Sequence, residues 1–268
     1  MRQMVIFGLG YTATRIAAQL QAAGWQVSAT GSAGDIDFED DAAVTAALAG
    51  ASHVLSSVPP ADGVDPVLAR YGDSLHHEWI GYFSSTGVYG DTGGAWVDET
   101  AAVVGRGGSG RRAARSDADA AWLAKGARVL RLPGIYGPGR SAFDKVRDGT
   151  ARRIDMPGQV FSRVHVDDIA SGALAALSAP PGAYNLADDL PASGAAVTEE
   201  ACRLLRVVPP PLQSISEAGL SPAARGFYSE NRRVANGKAR RVLGWRPRYR
   251  DYTSGLAAIL AAEGTDGN

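Results

Sequence analysis

The sequence predicts an α/β fold, a parallel sheet doubly wound by helices with a small C-terminal substrate cap, on three observations. Short apolar, β-branched runs alternate with Ala-rich stretches of helical period through the first half of the chain. A glycine turn, Gly8-Leu9-Gly10-Tyr11-Thr12-Ala13, stands where the first apolar run meets the first helical stretch. After Gly137 the rhythm loosens into Gly-, Pro- and Arg-rich segments, including Pro209-Pro210-Pro211, which read as loops between short elements. With 268 residues, 45% of them hydrophobic, the chain is long enough for one sizeable core and an appendage. Residues 1–140 are therefore expected to form the core. Residues 141–268 should supply the last sheet strands, interleaved with the cap.

In chain order, Met4 to Phe7 reads as a strand and Tyr11 to Ala23 as a helix. Strands follow at Gln26 to Thr30 and His53 to Val58, then a helix at Pro66 to Leu75 and a strand at Trp79 to Ser84. A helix from Ala113 to Lys125 and a strand from Arg128 to Leu132 continue the pattern, and Glu263 to Asn268 read as a frayed tail. Right-handed crossovers with helices on both faces put a ligand at the carboxyl ends of such strands. Lys plus Arg number 27 against 28 Asp plus Glu, a net charge of -1, which gives no electrostatic reason to expect nucleic acid or an acidic membrane. A small-molecule substrate fits better. Without a basic leader or a long apolar run, and with Cys202 its only cysteine, the chain is expected to be cytoplasmic, with Cys202 a buried small hydrophobe. A homodimer is expected on base rate only.

The glycine turn carries the first functional expectation, a Rossmann-type dinucleotide site. Gly8 makes the tight turn, Gly10 lets the backbone approach a pyrophosphate, and Ala13 keeps helix and strand close. The helix beginning at Tyr11 and Thr12 then offers free N–H groups and its positive dipole to the phosphates. The second strand ends at Thr30-Gly31-Ser32, with no Asp or Glu to hold a ribose 2′-hydroxyl. That tilts the expectation towards NADP over NAD, although no Arg directly follows the strand and Arg15 is the substitute at hand.

Five further phrases follow in order. They are Phe83-Ser84-Ser85-Thr86-Gly87-Val88-Tyr89-Gly90-Asp91, then Arg131 to Arg140 (Arg-Leu-Pro-Gly-Ile-Tyr-Gly-Pro-Gly-Arg), Arg163-Val164-His165-Val166-Asp167-Asp168, Tyr184-Asn185-Leu186-Ala187 and Leu243-Gly244-Trp245-Arg246-Pro247. Together they resemble the extended short-chain dehydrogenase/reductases, the NAD-dependent epimerases and dehydratases. The resemblance implies that Ser85, with Thr86 beside it, polarises a substrate oxygen next to the nicotinamide. It also implies Asp35 and Ile36 beside the adenine, and Ser56, Ser57 and Val58 along the cofactor cleft; Asp35 as a turn cap is the plain alternative.

The chain departs from that pattern where a catalytic Tyr-x-x-x-Lys pair would stand. Aligning Asp119 with the family's acidic helix residue puts Arg111 at the Tyr position and Arg115 at the Lys position. This departure looks like the atypical members of that group. A guanidinium stays protonated and cannot serve as a base, but it binds carboxylate or phosphate bidentately. Arg111 and Arg115 are therefore candidate substrate contacts. The plain alternative is that Arg106, Arg111, Arg112 and Arg115 form a solvated helix start balanced by Asp117 and Asp119. Arg140, Arg163 and the stretch Asn231 to Ala235 are further anion candidates. Tyr136 and Tyr89 are the remaining phenols for acid/base work. His165 is read as ordering the cap, with Asp167 or Asp168 as helix cap. His76-His77 lacks companion ligands, so no metal is expected. Three functions stay open: an NAD(P)-dependent oxidoreductase or epimerase-like enzyme, a non-catalytic NAD(P)-binding redox sensor, and a lyase or isomerase with tightly held cofactor.

Overall fold

The computed structural model describes residues 2–265. Six parallel strands form the central sheet: β1 (Gln3–Phe7), β2 (Gln26–Ala29), β3 (His53–Ser56), β4 (Trp79–Ser85), then Arg128–Leu132 and Gly182–Asn185. Starting from the β2 edge their order is β2, β1, β3, β4, Arg128–Leu132, Gly182–Asn185. The chain leaves β1 in one direction and returns to its other side at β3, so the crevice outside the ends of β1 and β3 is the topological switch point.

Successive strand residues point to opposite faces, and each face buries its own set. Met4, Ile6 and Phe83 pack under helices α1 (Tyr11–Ala22) and, further along the chain, Val166–Ala175. Val5, Phe7 and Tyr82 pack under α2 (Asp41–Gly50), α3 (Pro66–Tyr71) and α4 (Gly110–Ala124). With both faces covered, the strands read as continuous apolar runs. The periodicity places these strands closely, with three differences. β2 and β3 stop at Ala29 and Ser56, because Thr30 bridges to Ile36 and the chain turns after Ser56 into the crevice. The helix after Asp65 is shorter than expected, ending at Tyr71 before a 3₁₀ turn over Gly72–Ser74. Helix α2 has no counterpart in the sequence reading, although Asp40 caps it by accepting from Ala43 N.

The remaining helices are α5 (Ala142–Arg147), α6 (Val166–Ala175), α7 (Gly194–Leu205), α8 (Pro222–Tyr228) and α9 (Tyr252–Thr265). Helices α5, α7 and α9 close a separate apolar cluster around Phe143, Ala201 and Ile259. Three two-residue or three-residue parallel pairs stitch the cap: Gly134–Tyr136 with Arg163–His165, Arg153–Ile154 with Leu212–Gln213, and Trp96–Val97 with Arg233–Val234. The last pair draws a segment of the N-terminal half into the cap, so core and cap interleave on both sides of residue 140. Cys202 is fully buried. The expected frayed tail is helical through Thr265, and residues 266–268 lie outside the described residues. Among the described residues no helix is long and apolar enough to cross a membrane.

Candidate active-site cleft

At the switch point the glycine turn is already shaped by its neighbours. Gly8 takes φ +83°, where a side chain would be strained and its Cβ would lie 2.9 Å from Val58. Gly8 N donates to Thr30 Oγ1 at 3.2 Å, Leu9 N donates to Thr30 O at 2.7 Å, and Ser57 Oγ donates to Gly8 O. Gly10 is the N-cap of α1 with no side-chain cap, and a Cβ added there would meet nothing within 4 Å. Uncapped N–H groups facing open space at the start of a three-turn helix fit a pyrophosphate. Tyr11 and Thr12 open that helix, and the Tyr11 hydroxyl donates to Pro138 O at 3.0 Å.

The ribose end differs from expectation in two respects. Thr30 is buried and its Oγ1 accepts from Gly8 N, so it supports the turn, while Gly31, Ser32 and Ala33 are exposed there. Arg15 is likewise engaged, pairing with Asp167 at 2.7 Å. Asp35 accepts from Ala29 N at 2.6 Å, which is the turn-capping alternative, while its side chain stays exposed beside Ile36. Ser56 is buried, whereas Ser57 and Val58 are half-buried against the turn.

The neighbouring cleft, of about 460 Å³, opens beyond β4. Ser85 and Thr86 line it, together with Arg111, Arg112 and Arg115 of α4, and Glu230 and Arg232 of the cap. Val160, Phe161 and Phe227 contribute apolar wall. Ser85 ends β4 and caps the following 3₁₀ turn, its Oγ accepting from Gly87 N at 3.1 Å, which leaves the hydroxyl proton free to donate. Among the described residues neither Arg111 nor Arg115 has a carboxylate within ion-pair reach. The expected balance with Asp117 and Asp119 does not form: Asp117 accepts from Gly107 N, and Asp119 is spent on Arg131.

Both remaining phenols lie outside this cleft. Tyr89 donates to Asn185 Oδ1 at 2.8 Å and accepts from Arg131 Nη1 at 3.0 Å, inside a buried network that also joins Ser84 to Asp119 at 2.6 Å. Tyr136, expected as an acid/base, points away from the cleft into the α5, α7 and α9 cluster. Its hydroxyl donates to Asp251 O at 3.3 Å, and α9 passes over it so closely that only Gly255 fits there. Burial, reinforced by Asp188 and Asp168, pushes this phenol well above its ordinary range. Tyr136 is thus a packing residue.

Two arginines also move. Arg140 sits 5.7 Å over the Tyr11 ring, at the glycine-turn end, and does not line the cleft beyond β4. Arg163 is turned onto the carbonyl oxygens of Phe161 and Ala192, both at 2.8 Å. The cap of α6 is His165, whose Nδ1 accepts from Asp167 N at 3.2 Å, and neither aspartate takes that place. Burial lowers the His165 pKa to about 4, so the ring is neutral and able to accept. Asp168 instead accepts from Arg248 N and Tyr249 N. The sequence reading missed Glu230, Phe161 and Phe227; Arg112 lay within the flagged arginine cluster and Arg232 within the flagged stretch 231–235.

A conserved protein of unknown function from Silicibacter pomeroyi DSS, known from its structure, is 39% identical, with 98% of this chain and 99% of that one covered and a TM-score of 0.87. This chain belongs to its family. The dTDP-glucose 4,6-dehydratase of Bacillus anthracis, solved with NAD, is 14% identical over 99% of this chain and 97% of its own, with a TM-score of 0.78. The fold is therefore that of the extended epimerases and dehydratases. A Streptomyces 3-diazoavenalumate denitrifying reductase is 33% identical over 143 residues, 48% of this chain and 45% of that enzyme, so the match spans less than half of the curated relative. No family model matches the chain.

Proposed function

We propose that this protein is an NAD(P)-dependent oxidoreductase of the epimerase-like type, acting on a small anionic molecule. The observation that carries the reading is that an uncapped glycine turn at the end of β1 and a Ser85 hydroxyl at the end of β4, with β3 between them, stand at the same side of the sheet beside an arginine-lined cleft. Gly8, Gly10, Tyr11 and Thr12 would hold the pyrophosphate, with Ser57 and Val58 behind it and Asp35 and Ile36 at the adenine end. NADP is favoured over NAD because Thr30, Gly31 and Ser32, with no carboxylate among them, directly follow β2. When bound, the nicotinamide supplies or accepts hydride. Ser85 would donate a hydrogen bond that polarises the substrate oxygen while water supplies or takes the proton, Thr86 walls the same spot, and Arg111 and Arg115 orient the anionic end. The reductase among the relatives supports reduction as the direction of chemistry.

Binding of NADPH and NADH, followed by tryptophan fluorescence and thermal shift, tests the cofactor. Gly10→Asp places a carboxylate where phosphate would lie and should weaken binding at least about tenfold without lowering the melting temperature. Once a turnover assay is found, Ser85→Ala should lower kcat by roughly a hundredfold. Retained activity would remove Ser85 from the mechanism. The withdrawal of both Tyr89 and Tyr136 from the cleft favours a second reading, a redox sensor. That reading predicts tight NAD(P)H binding with no turnover on any carbonyl substrate screened.

A further inference from the structure

We propose that Arg112 and Arg232 form the seat for a substrate carboxylate, and that the Glu230 side chain occupies this seat until a ring-bearing carboxylate displaces it. The proposal rests on reading the cleft as a substrate site and adds a ligand chemistry and a competitor to it. Glu230 is the one acidic residue lining the cleft among the described residues. Its Oε1 forms an ion pair with Arg112 Nη2 on α4, and its Oε2 accepts from Arg232 Nη1, which also donates to Gly90 O at 2.8 Å. Two guanidiniums from different parts of the chain thus already clasp a carboxylate inside the cleft. An incoming carboxylate can make the same two charge-assisted bonds.

The Arg112 side chain is 44% exposed, so a ligand reaches it without any part of the core opening. Two further charges, Arg111 and Arg115, line the same cleft with no carboxylate partner among the described residues, and they strengthen the field that draws an anion in. The body of the ligand is set by the wall. Phe161, Val160 and Val234 line the cleft, and Phe227 lines it while 64% exposed, a large apolar surface that a bound ring would cover. An aromatic or otherwise planar carboxylate satisfies both halves of this site. While Glu230 holds the seat, the apparent affinity for such a ligand is reduced by the fraction of time the seat is free. Neutralising Glu230 removes that reduction without touching an arginine.

Benzoate, acetate and inorganic phosphate, titrated at constant ionic strength into the full-length protein, test the proposal, with NADPH affinity measured in parallel. Glu230→Gln should bind benzoate at least about fivefold tighter than the wild type, with Glu230→Ala as the second variant should the first fail to fold. Arg112→Ala should bind it at least about tenfold weaker, and acetate should bind more weakly than benzoate. Unchanged or weaker benzoate binding in both Glu230 variants overturns the proposal, as does phosphate binding tighter than benzoate. Absence of NADPH binding alongside the expected benzoate series would sink the oxidoreductase reading and leave the carboxylate seat standing.

Discussion

Arg112 and Asp119 lie about two turns apart on helix α4, and each is held by a partner of opposite charge. Asp119 and Arg131 are 1% and 3% exposed, joined through two bonds of 3.0 and 2.7 Å, with Ser84 donating to the same carboxylate. Arg112 and Glu230 are 44% and 18% exposed and sit on the wall of a cleft. In the first pair every hydrogen bond is made within the fold and water is excluded, so neither partner has an alternative. In the second, solvent or a ligand can replace either partner. Depth, not the identity of the pair, separates a strut between β4, α4 and Arg128–Leu132 from a contact that can exchange.

Breaking the strut gives the largest expected effect. Asp119→Ala leaves Arg131 charged and buried and should lower the unfolding free energy by about 3–5 kcal/mol, read from urea denaturation. A third carboxylate sharpens the contrast. Asp188 is 2% exposed and neither oxygen accepts a hydrogen bond of normal geometry, because the nearby Arg163 is turned onto backbone carbonyls. Burial pushes its pKa from 3.8 up to about 8. Between those values the folded state keeps a proton that the unfolded state has released, so stability is greatest at the acid end and falls as pH rises towards about 8. Asp188→Asn should remove that slope and gain about 1 kcal/mol or more at slightly alkaline pH, measured as urea midpoints across the window. Smallest of the three, Glu230→Ala should change stability by no more than about 1 kcal/mol. A loss as large as that of Asp119→Ala would erase the distinction between the two pairs.

Much of the core was legible because its signals are local. Strand residues such as Met4, Val5, Ile6 and Phe7 are apolar on both faces, as a sheet covered on both sides requires, and the glycine turn needs only its own six residues. The Ser-Ser-Thr-Gly-Val-Tyr-Gly phrase likewise put Ser85 at a strand end. What was not legible depends on which way a side chain turns once distant segments pack. Tyr136 and Arg140 stand four residues apart in the chain, yet the first is drawn under α9 and the second over Tyr11. Nothing near Glu230 in the chain announces Arg112, since their pairing exists only after Trp96–Val97 joins Arg233–Val234. Helix α2 did have a local signal, the Asp40 cap before an Ala-rich run, which its weak apolar periodicity obscured.

The grip of Thr30 and Ser57 on Gly8 has a kinetic consequence. Three hydrogen bonds fix the turn before any ligand arrives, so the entropy of ordering that backbone is lost during folding and not at the encounter. Association at the turn should then run at the rate of a rigid docking event, with no slow ordering phase of the loop behind it. Affinity differences among dinucleotides would be written almost entirely in how fast they leave.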